Sequence, residues 1–416
     1  MAKRIVFCAD GTWNGPQART DAPVIDVDAD HGELARLGVT NVVKLFGNLA
    51  GRVTPDTLAL QNEQEKVLLN PDGSVAQIAK YLHGVGDSSN FLIRLLGGTL
   101  GVGIISRIVR GYTFISRNYE PGDEIHIVGF SRGAYTARAL AGMIAKIGLL
   151  SPQSHDPDDK KLAYQLGVAA WCKSKGVTLH GAGKLNLLAT QFLDFVQSFY
   201  AERLDDDALI PDVKIKSVAV WDTVGAMGIP LYAKDRRFDL FKFADTSLSP
   251  SVEHGFHAMA IDEQRIDFPV TRWDDRDGVV QVWFAGAHAD VGGGYAQAES
   301  RLSDIGLDWM MKQLAEIGVV MATPLTYEPK AENLLQDIHE PWKNPPFSFL
   351  EVAPREVRRG DEIHESARQR WQQVAAYRPA ALTVWAQEHR PEEVEVSEAV
   401  PAPLLHSVAN ELHAAH

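Results

Sequence analysis

The feature that most constrains the fold is the stretch IVGFSRGAYTARALAGMIAKIGLL at residues 127–150, where an apolar run passes through two glycines into a helical pattern. The apolar run is short and rich in isoleucine and valine, as buried strands are. The residues after the second glycine repeat alanine and leucine at helical spacing. The sequence therefore predicts a strand, a tight turn around Ser131 and a helix in direct succession.

Other apolar runs, each followed by turn residues, predict further buried strands with helical patterns between them. The strand patterns are RIVFCAD, AQIAKYLHG, IKSVAVWD and VVQVWFAGAH, and the clearest helical patterns are NVVKLFGNLA and ISRIVRGYTFISRNY. Strands that alternate with helices in this way form parallel sheets covered on both faces. We therefore expect an α/β protein with a mostly parallel central sheet flanked by helices.

The composition is typical of a folded protein with a sizeable core and argues against several other classes. Of the 416 residues, 45% are hydrophobic and 23% are charged. Cys8 and Cys172 are the only cysteines, so we expect neither a disulfide framework nor a cysteine metal cluster. The formal net charge of −13 argues against broad binding to nucleic acid or to anionic lipid.

The hydrophobic runs predict neither a signal peptide nor a membrane span. The opening MAKRIVFCADGTWN has an apolar run of about five residues, shorter than a signal-peptide core, and is better explained as a first strand. The most membrane-like stretch, Phe91–Tyr112, is interrupted by arginines and falls short of the ~20 apolar residues that a span needs. We expect a protein that is cytoplasmic as synthesised, with transient contact at a membrane surface as the minor alternative.

Breaks in the alternation of strands and helices divide the chain into a core and insertions. We assign residues 1–150 and 213–320 to the core. Residues 151–212 open with a polar, proline-containing segment and continue with helical patterning, so we predict a helical insertion that caps the sheet. We predict a second insertion within the core at 229–270, and a C-terminal extension at 321–416 whose end is loosely held. The apolar residues expected to roof the sheet are Leu187, Leu188, Phe192, Phe195, Phe199, Leu240, Phe241 and Phe243.

Three structures compete for the turn GFSRG: an ordinary tight turn, a phosphate-binding loop and a nucleophile elbow. A phosphate-binding loop needs a Lys-Ser or Lys-Thr pair after its last glycine, and none follows here. In a nucleophile elbow, Gly129 and Gly133 permit a strained turn that presents the hydroxyl of Ser131 at a helix N-terminus, where developing negative charge is favoured. The ordinary turn remains open unless the serine has partners.

A nucleophilic serine needs a base, and the base needs an orienting acid. In α/β-hydrolases the acid and the histidine follow the serine in that order. Asp222 ends the run IKSVAVWD, and His288 follows the run VVQVWFAGA. All three candidates thus lie where predicted strands end, which is where open α/β sheets place their sites. The rivals for the acid and the base are Asp262, Asp290 and His364.

The first predicted strand ends in the loop CADGTWNG, which we expect to complete the site. Acyl transfer needs at least two backbone N–H donors for the oxyanion of the tetrahedral intermediate. One should be the N–H of Arg132, directly after the serine, and the second should come from Gly11 or Thr12. Asp10 would then brace the loop by hydrogen bonds, unless it only closes a turn at the strand end.

We expect no metal or other cofactor at this site. His288 and Asp290 lie close together in the segment GAHADVGGGY, but no third ligand stands at a spacing typical of metal sites. Asp290 is therefore expected to line the site beside His288, unless it takes the place of Asp222 as the acid.

With these residues assembled, the chain resembles the α/β-hydrolase catalytic domain of type VI secretion phospholipase effectors, formerly a domain of unknown function. The segments that carry the resemblance are DGTWN, TNVVKLF, YLHGVGD, GFSRGAYTARALAGMI, VWDTVGAMG, AMAIDEQRIDF and WFAGAHADVGGGY, which span roughly residues 4–310. The resemblance implies an α/β-hydrolase-like fold. It places the family's nucleophile on Ser131, its acid on Asp222 and its base on His288.

The resemblance also implies ester hydrolysis, with phospholipid as the substrate best known for the family. We expect a serine hydrolase that cleaves carboxylic esters, a phospholipase or lipase that acts on acyl-glycerol lipids. The alternatives are an esterase or thioesterase for small soluble acyl compounds, and a non-enzymatic interaction module on a hydrolase fold. If the chain is an effector, export by a type VI-like system and a cognate immunity or secretion partner are expected.

Overall fold

The structure, a computed structural model, describes residues 2–11, 38–58, 63–84, 100–152, 159–175, 204, 206–224, 246–296, 298–330, 335–345, 347–349 and 351–389. Thr12 and all the apolar residues of the predicted roof lie outside these ranges. Within the predicted cap 151–212, residues Lys160–Lys175 form a helix that buries Leu166, Val168 and Trp171 in the core, so this part is not a cap. For the residues of 151–212 outside the described ranges, the cap stays a prediction.

Among the described residues, nine strands form one sheet: β1 (Arg4–Ala9), β2 (Arg52–Val53), β3 (Glu63–Leu69), β4 (Val75–Leu82), β5 (Glu124–Phe130), β8 (Ile215–Trp221), β9 (Val252–Ala260), β10 (Val279–Phe284) and β11 (Glu362–Ile363). Their order in the sheet is β11-β10-β9-β8-β5-β1-β4-β3-β2. Neighbouring strands from β4 through β1, β5, β8, β9 and β10 to β11 run parallel, and only β2–β3 and β3–β4 are antiparallel. The predicted mostly parallel central sheet is thus confirmed. A separate antiparallel pair consists of β6 (Leu149–Leu150) and β7 (Leu209–Ile210).

Helices cover both faces of the sheet, which is why most residues of its central strands are buried and apolar. On β1, Ile5 and Phe7 face one layer of the core, whereas Val6 and Cys8 face the other. The first layer contains α3 (Leu100–Asn118), α4 (Arg132–Ile147) and α5 (Lys160–Lys175), and the second contains α1 (Asn41–Asn48), α6 (His288–Gly292) and α7 (Arg301–Glu316). The short helix α2 (Pro55–Leu58) precedes β3, and α8 (Glu365–Gln373) and α9 (Thr383–His389) come last. In the described part of the chain, no helix combines the length and the apolar character needed to cross a membrane.

The predicted second insertion, 229–270, is wrong over its C-terminal part. Residues 252–260 form β9, which pairs in parallel with β8 on one side and with β10 on the other. Glutamate, histidine and glycine interrupt the apolar pattern of this strand, VEHGFHAMA, so the sequence conceals it. Its buried histidine, His257, is accommodated because its Nε2 accepts a hydrogen bond from the N–H of Thr223 at 3.1 Å.

The described part of the predicted C-terminal extension, 321–416, is built into the fold. Its strand β11 extends the sheet beside β10. Ile363, Leu382 and Trp385 form a third buried cluster with Trp283 of β10. A two-residue strand carries no periodicity, which is why the sequence pattern does not reveal it.

Candidate active site

Ser131 lies in a strained turn between β5 and α4. Its backbone has φ 57° and ψ −120°, a conformation that residues other than glycine rarely adopt. The flanking glycines are required by close backbone approach: a Cβ at Gly133 would lie 2.0 Å from the carbonyl oxygen of Ala9, and one at Gly129 would lie 2.4 Å from that of Gly133. The segment therefore has the geometry of a nucleophile elbow, in which the chain reverses tightly from strand to helix.

The imidazole of His288 lies beside this turn. His288 is the first residue of α6, and its Nε2 is 2.8 Å from Oγ of Ser131. The rings of Phe130 and Phe268 pack on it, with centroids 4.6 and 5.2 Å away. A Cβ at Gly292 would lie 1.9 Å from the Phe130 ring, so this glycine lets α6 approach the turn closely.

Asp222 follows β8 and contacts the other nitrogen of the imidazole. Its Oδ2 lies 2.6 Å from Nδ1 of His288, and its Oδ1 accepts a hydrogen bond from the N–H of Ala260 at 3.0 Å. The residue is fully buried and has a positive φ of 37°. Ser131, His288 and Asp222 thus form one continuous hydrogen-bonded chain at the carboxyl ends of β5, β10 and β8.

The buried surroundings set the protonation states of Asp222 and His288. Burial alone would raise the pKa of Asp222, but the guanidinium of Arg355 and the imidazole of His288 outweigh it and hold the pKa well below its usual range. Burial lowers the pKa of His288 below its ordinary value, against the opposing effect of Asp222. Near neutral pH, therefore, Asp222 is ionised and His288 is neutral. With Nδ1–H donated to Asp222, Nε2 is left to accept the hydroxyl proton of Ser131.

Asp10 holds the loop after β1. Its Oδ2 accepts hydrogen bonds from the hydroxyls of Thr40 and Tyr81 at 2.9 and 2.8 Å, and its Oδ1 accepts one from the N–H of Gly11 at 2.7 Å. Burial raises the pKa of Asp10 to about 6, although these donors favour its ionised form. A Cβ at Gly11 would lie 3.0 Å from Cβ of Ser131, which places the loop against the turn.

This arrangement corrects the expectation for Gly11. Its N–H was a candidate oxyanion donor, but it is already bound to the carboxylate of Asp10. Arg132 is the first residue of α4, and the role of its N–H as an oxyanion donor stays a prediction. Thr12 lies outside the described residues.

The rival acids and base have other partners. Oδ2 of Asp290 accepts a hydrogen bond from the N–H of Ala287 at 2.9 Å, and Oδ1 lies 2.6 Å from Nδ1 of His339, so Asp290 anchors the start of α6. Asp262 accepts hydrogen bonds from the N–H of Gly286 and the hydroxyl of Tyr377. His364 caps α8, where its Nδ1 accepts from the N–H of Ser366. In the described ranges, no group of three or more His, Cys, Asp or Glu side chains has an arrangement that could hold a metal ion.

Sequence reasoning missed two buried residues at this site. Arg355 pairs with Asp222 through both of its terminal nitrogens, at 2.5 and 3.0 Å. Glu263 accepts a hydrogen bond from the N–H of His288 at 3.2 Å and forms a buried ion pair with Arg265 at 2.7 Å. The segment IDEQRIDF after β9 could have indicated Glu263, because it puts charged residues directly after a strand; Arg355 lies in no recognisable pattern.

Comparisons with known proteins give the following relatives. A family model described as "T6SS, Phospholipase effector Tle1-like, catalytic domain" matches residues 3–313. The uncharacterized protein YEL023C of Saccharomyces cerevisiae is 27% identical over 281 residues, which are 64% of this chain and 32% of the yeast protein. The chain thus spans about a third of that relative.

Two solved structures also match. An uncharacterized protein from Pseudomonas aeruginosa has a TM-score of 0.38 and 17% identity, over 80% of this chain and 48% of that one. The Tle1 effector bound to the VgrG spike of the type 6 secretion system has a TM-score of 0.33 and 18% identity, over 70% of this chain and 51% of that one. The chain therefore spans about half of each solved chain.

Proposed function

The chain belongs to the family of Tle1-like phospholipase effector catalytic domains, and from this premise we propose that it is a serine hydrolase of the α/β-hydrolase type that cleaves carboxylic esters of acyl-glycerol lipids. The observation that carries the proposal is the unbroken chain from Ser131 Oγ to His288 Nε2 at 2.8 Å and from His288 Nδ1 to Asp222 Oδ2 at 2.6 Å. A serine hydroxyl with a neutral imidazole on one side, itself held by a buried carboxylate, is the arrangement that activates serine as a nucleophile.

In the proposed reaction, Oγ of Ser131 attacks the ester carbonyl carbon while Nε2 of His288 takes the hydroxyl proton. The tetrahedral intermediate collapses when His288 gives that proton to the leaving alcohol, which leaves an acyl group on Ser131. A water molecule, deprotonated by the same nitrogen, then attacks the acyl carbonyl carbon. The bond to Oγ breaks, the fatty acid leaves, and His288 returns the proton to Oγ of Ser131. Asp222 stabilises the imidazolium and fixes its tautomer throughout.

The oxyanion of the intermediate needs donors close to Ser131. We assign one to the N–H of Arg132, at the N-terminus of α4, where the helix dipole adds favourable potential. Since Asp10 occupies the N–H of Gly11, we assign the second to the N–H of Thr12. Asp10 then acts as the brace that holds this loop against the turn.

Aromatic side chains beside His288 support a lipid substrate. Phe268 packs edge-on to the imidazole, and the ring of Phe347 packs on Phe268 with centroids 6.0 Å apart. Phe349, in the same short 3₁₀ helix as Phe347, is 83% exposed to solvent. The guanidinium of Arg265 lies over the rings of Phe268 and Phe347, 3.7 and 4.6 Å from their centroids, so we propose the exposed ring of Phe349, and not those two, as the contact for an acyl chain.

Hydrolysis assays with two substrate types test this function. We expect release of fatty acid from long-chain phospholipids labelled at one acyl position at a time, with the labelled position giving the regiospecificity. Activity on a soluble acetate ester should be weaker. Activity on the acetate ester alone would favour the small-ester alternative, and no Ser131-dependent hydrolysis of either substrate would contradict the proposal.

The predicted roof allows a sharper comparison. Phe241→Asp and Phe243→Asp should weaken cleavage of phospholipid much more than cleavage of the acetate ester, because a charge in the approach opposes entry of an acyl chain. The ratio of the two activities, with a thermal melt as the check on folding, is the measurement. A change of both activities in parallel would show that the roof residues do not select the substrate.

We also propose export and a protein partner. The family is one of type VI secretion effectors, and the Tle1 effector of the solved complex is bound to a VgrG spike. A spike protein of the same kind, and an immunity protein that blocks the site, are the partners to test. Co-purification of a spike protein encoded in the same genome with this chain would support export, and detection of the chain only inside cells with an active secretion system would contradict it.

A further inference from the structure

Asp222 contacts a second charged group besides His288. The guanidinium of Arg355 forms a bidentate pair with it: Nη1 donates to Oδ1 at 2.5 Å and Nη2 donates to Oδ2 at 3.0 Å. Both side chains are removed from solvent, with 0% of Asp222 and 5% of Arg355 exposed. Two parallel hydrogen bonds fix the plane of the carboxylate as well as its charge.

Arg355 is itself anchored to the residues that surround the site. Its Nη1 donates to the carbonyl oxygen of Ala260 at 3.3 Å, and its Nη2 donates to that of Phe268 at 2.8 Å. The segment that carries Arg355 is joined to the loop after β9, because the N–H of Ala353 donates to the carbonyl oxygen of Gln264 at 2.8 Å. Arg355 thus reaches the acid from the described C-terminal region, outside the residues 3–313 that the family model matches.

The pair has two chemical consequences for the imidazole. A carboxylate buried without a cation would take up a proton, and a protonated Asp222 could not stabilise imidazolium. The positive charge of Arg355 also opposes the binding of an extra proton anywhere in the Asp222–His288 pair. Among the described residues, the charged and titratable groups around this pair are Arg355, Glu263, Arg265 and His257.

We propose that Arg355 is a positioning residue for the catalytic acid, which it keeps ionised and oriented toward Nδ1 of His288. The inference rests on the proposed function, because it gives Arg355 a role only in a working Ser131–His288–Asp222 chain. It also makes the C-terminal region part of the catalytic apparatus.

Two substitutions separate the charge of Arg355 from its geometry. Arg355→Gln removes the charge, so we expect kcat to fall about a hundredfold through misplacement of the acid. The acid limb of the kcat/KM profile should move up by about one pH unit, because the pair loses its neighbouring cation and binds a proton more tightly. Arg355→Lys keeps the positive charge but cannot form the bidentate pair. The acid limb of the kcat/KM profile should therefore stay at its wild-type pH, while kcat falls about tenfold. KM should stay within about threefold of wild type in both.

Arg272→Gln is the matched control. Arg272 forms a similar bidentate pair with Asp361, at 2.8 and 2.5 Å, and also ties the core to the C-terminal region. Asp361 contacts Trp283 and not the imidazole, so this change should lower the melting temperature without moving the acid limb. Each kcat is expressed per folded protein, as judged by thermal melt.

The outcomes are distinct. A folded Arg355→Gln enzyme with the wild-type acid limb and kcat within about threefold overturns the inference, and so does an equal shift of the acid limb in Arg272→Gln. If Arg355→Gln does not fold, Arg355→Lys decides: a kcat within about twofold of wild type overturns the inference. If wild-type hydrolysis does not depend on Ser131, the proposed function itself fails, whatever Arg355 does.

Discussion

Among the individual side chains, Asp222 has the most distinctive position, because it is fully buried between an imidazole and a guanidinium. Asp222→Asn should lower kcat by up to roughly 10⁴, because an amide favours the wrong tautomer of His288. Asp290→Asn should lower it far less, since an amide oxygen can still accept from the N–H of Ala287. Steady-state kinetics on one ester measure both. A larger loss in Asp290→Asn than in Asp222→Asn would make Asp290 the acid.

His288 governs the pH dependence. The base works as neutral imidazole, so activity is lost as pH falls through its pKa. Since burial lowers that pKa, the midpoint of the acid limb of kcat/KM should lie below the ordinary value of about 6.5. A midpoint well above 6.5 would contradict the environment described for His288.

Histidine substitutions give an independent check on the base. His288→Ala should abolish hydrolysis, because no other described group accepts the hydroxyl proton of Ser131. His364→Ala should lower the rate of hydrolysis by less than about tenfold, since that residue only caps α8 and stacks on Phe284. A folded His364→Ala protein without activity, beside an active His288→Ala protein, would show that the base was assigned wrongly.

The turn between β5 and α4 brings a helix close to the backbone of β1. Gly133→Ala would put a methyl group 2.0 Å from the carbonyl oxygen of Ala9, so β1 and α4 would have to separate. We expect a loss of roughly 1–3 kcal/mol in the free energy of unfolding, and a large loss of activity. Gly142→Ala in the same helix is the control, because nothing lies within 4 Å of its added Cβ. Gly142→Ala should raise the free energy of unfolding by roughly 0.5–1 kcal/mol. Equal denaturation midpoints for the two variants would contradict the close packing of α4 on β1.

The strands that the sequence predicts are those with mainly apolar runs, such as β1, β5 and β8. These are buried on both faces by helices, so burial and pattern agree. The strand β9 is equally central, but a glutamate, two histidines and a glycine break its apolar run, and the buried His257 is held by a hydrogen bond from the backbone of Thr223 that no local pattern encodes. The same limit applies to β11, which exists only because it pairs with β10.

The three central residues of the candidate site could be predicted from the sequence, but some of their contacts could not. Ser131, Asp222 and His288 each follow a recognisable strand, and parallel strands bring their carboxyl ends to one edge. The pairing of Arg355 with Asp222 could not be predicted, because it depends on contact between segments far apart in the sequence. The hydrogen bond from the N–H of Gly11 to Asp10 could not be predicted either, because no sequence pattern fixes the conformation of that loop.

For the chain as a whole, the C-terminal region should be needed for both stability and activity. A chain that ends at residue 320 keeps the residues of the family match but lacks β11, Arg355 and the cluster around Leu382. Asp222 would then be buried without its cation, which is typically destabilising by about 3–5 kcal/mol. We expect this fragment to be largely unfolded by circular dichroism and inactive. Full activity in the fragment would show that the region is dispensable.

The most direct test of an activated serine is covalent labelling by a fluorophosphonate probe, with the modified residue located by mass spectrometry. We expect a single adduct on Ser131 in the wild-type protein, none on Ser131→Ala, and strongly slowed labelling of His288→Ala. Ser131→Ala should also lose on the order of 10⁶ in turnover while it keeps its fold. Labelling at another serine, or Ser131→Ala activity within about tenfold of wild type, would contradict the account.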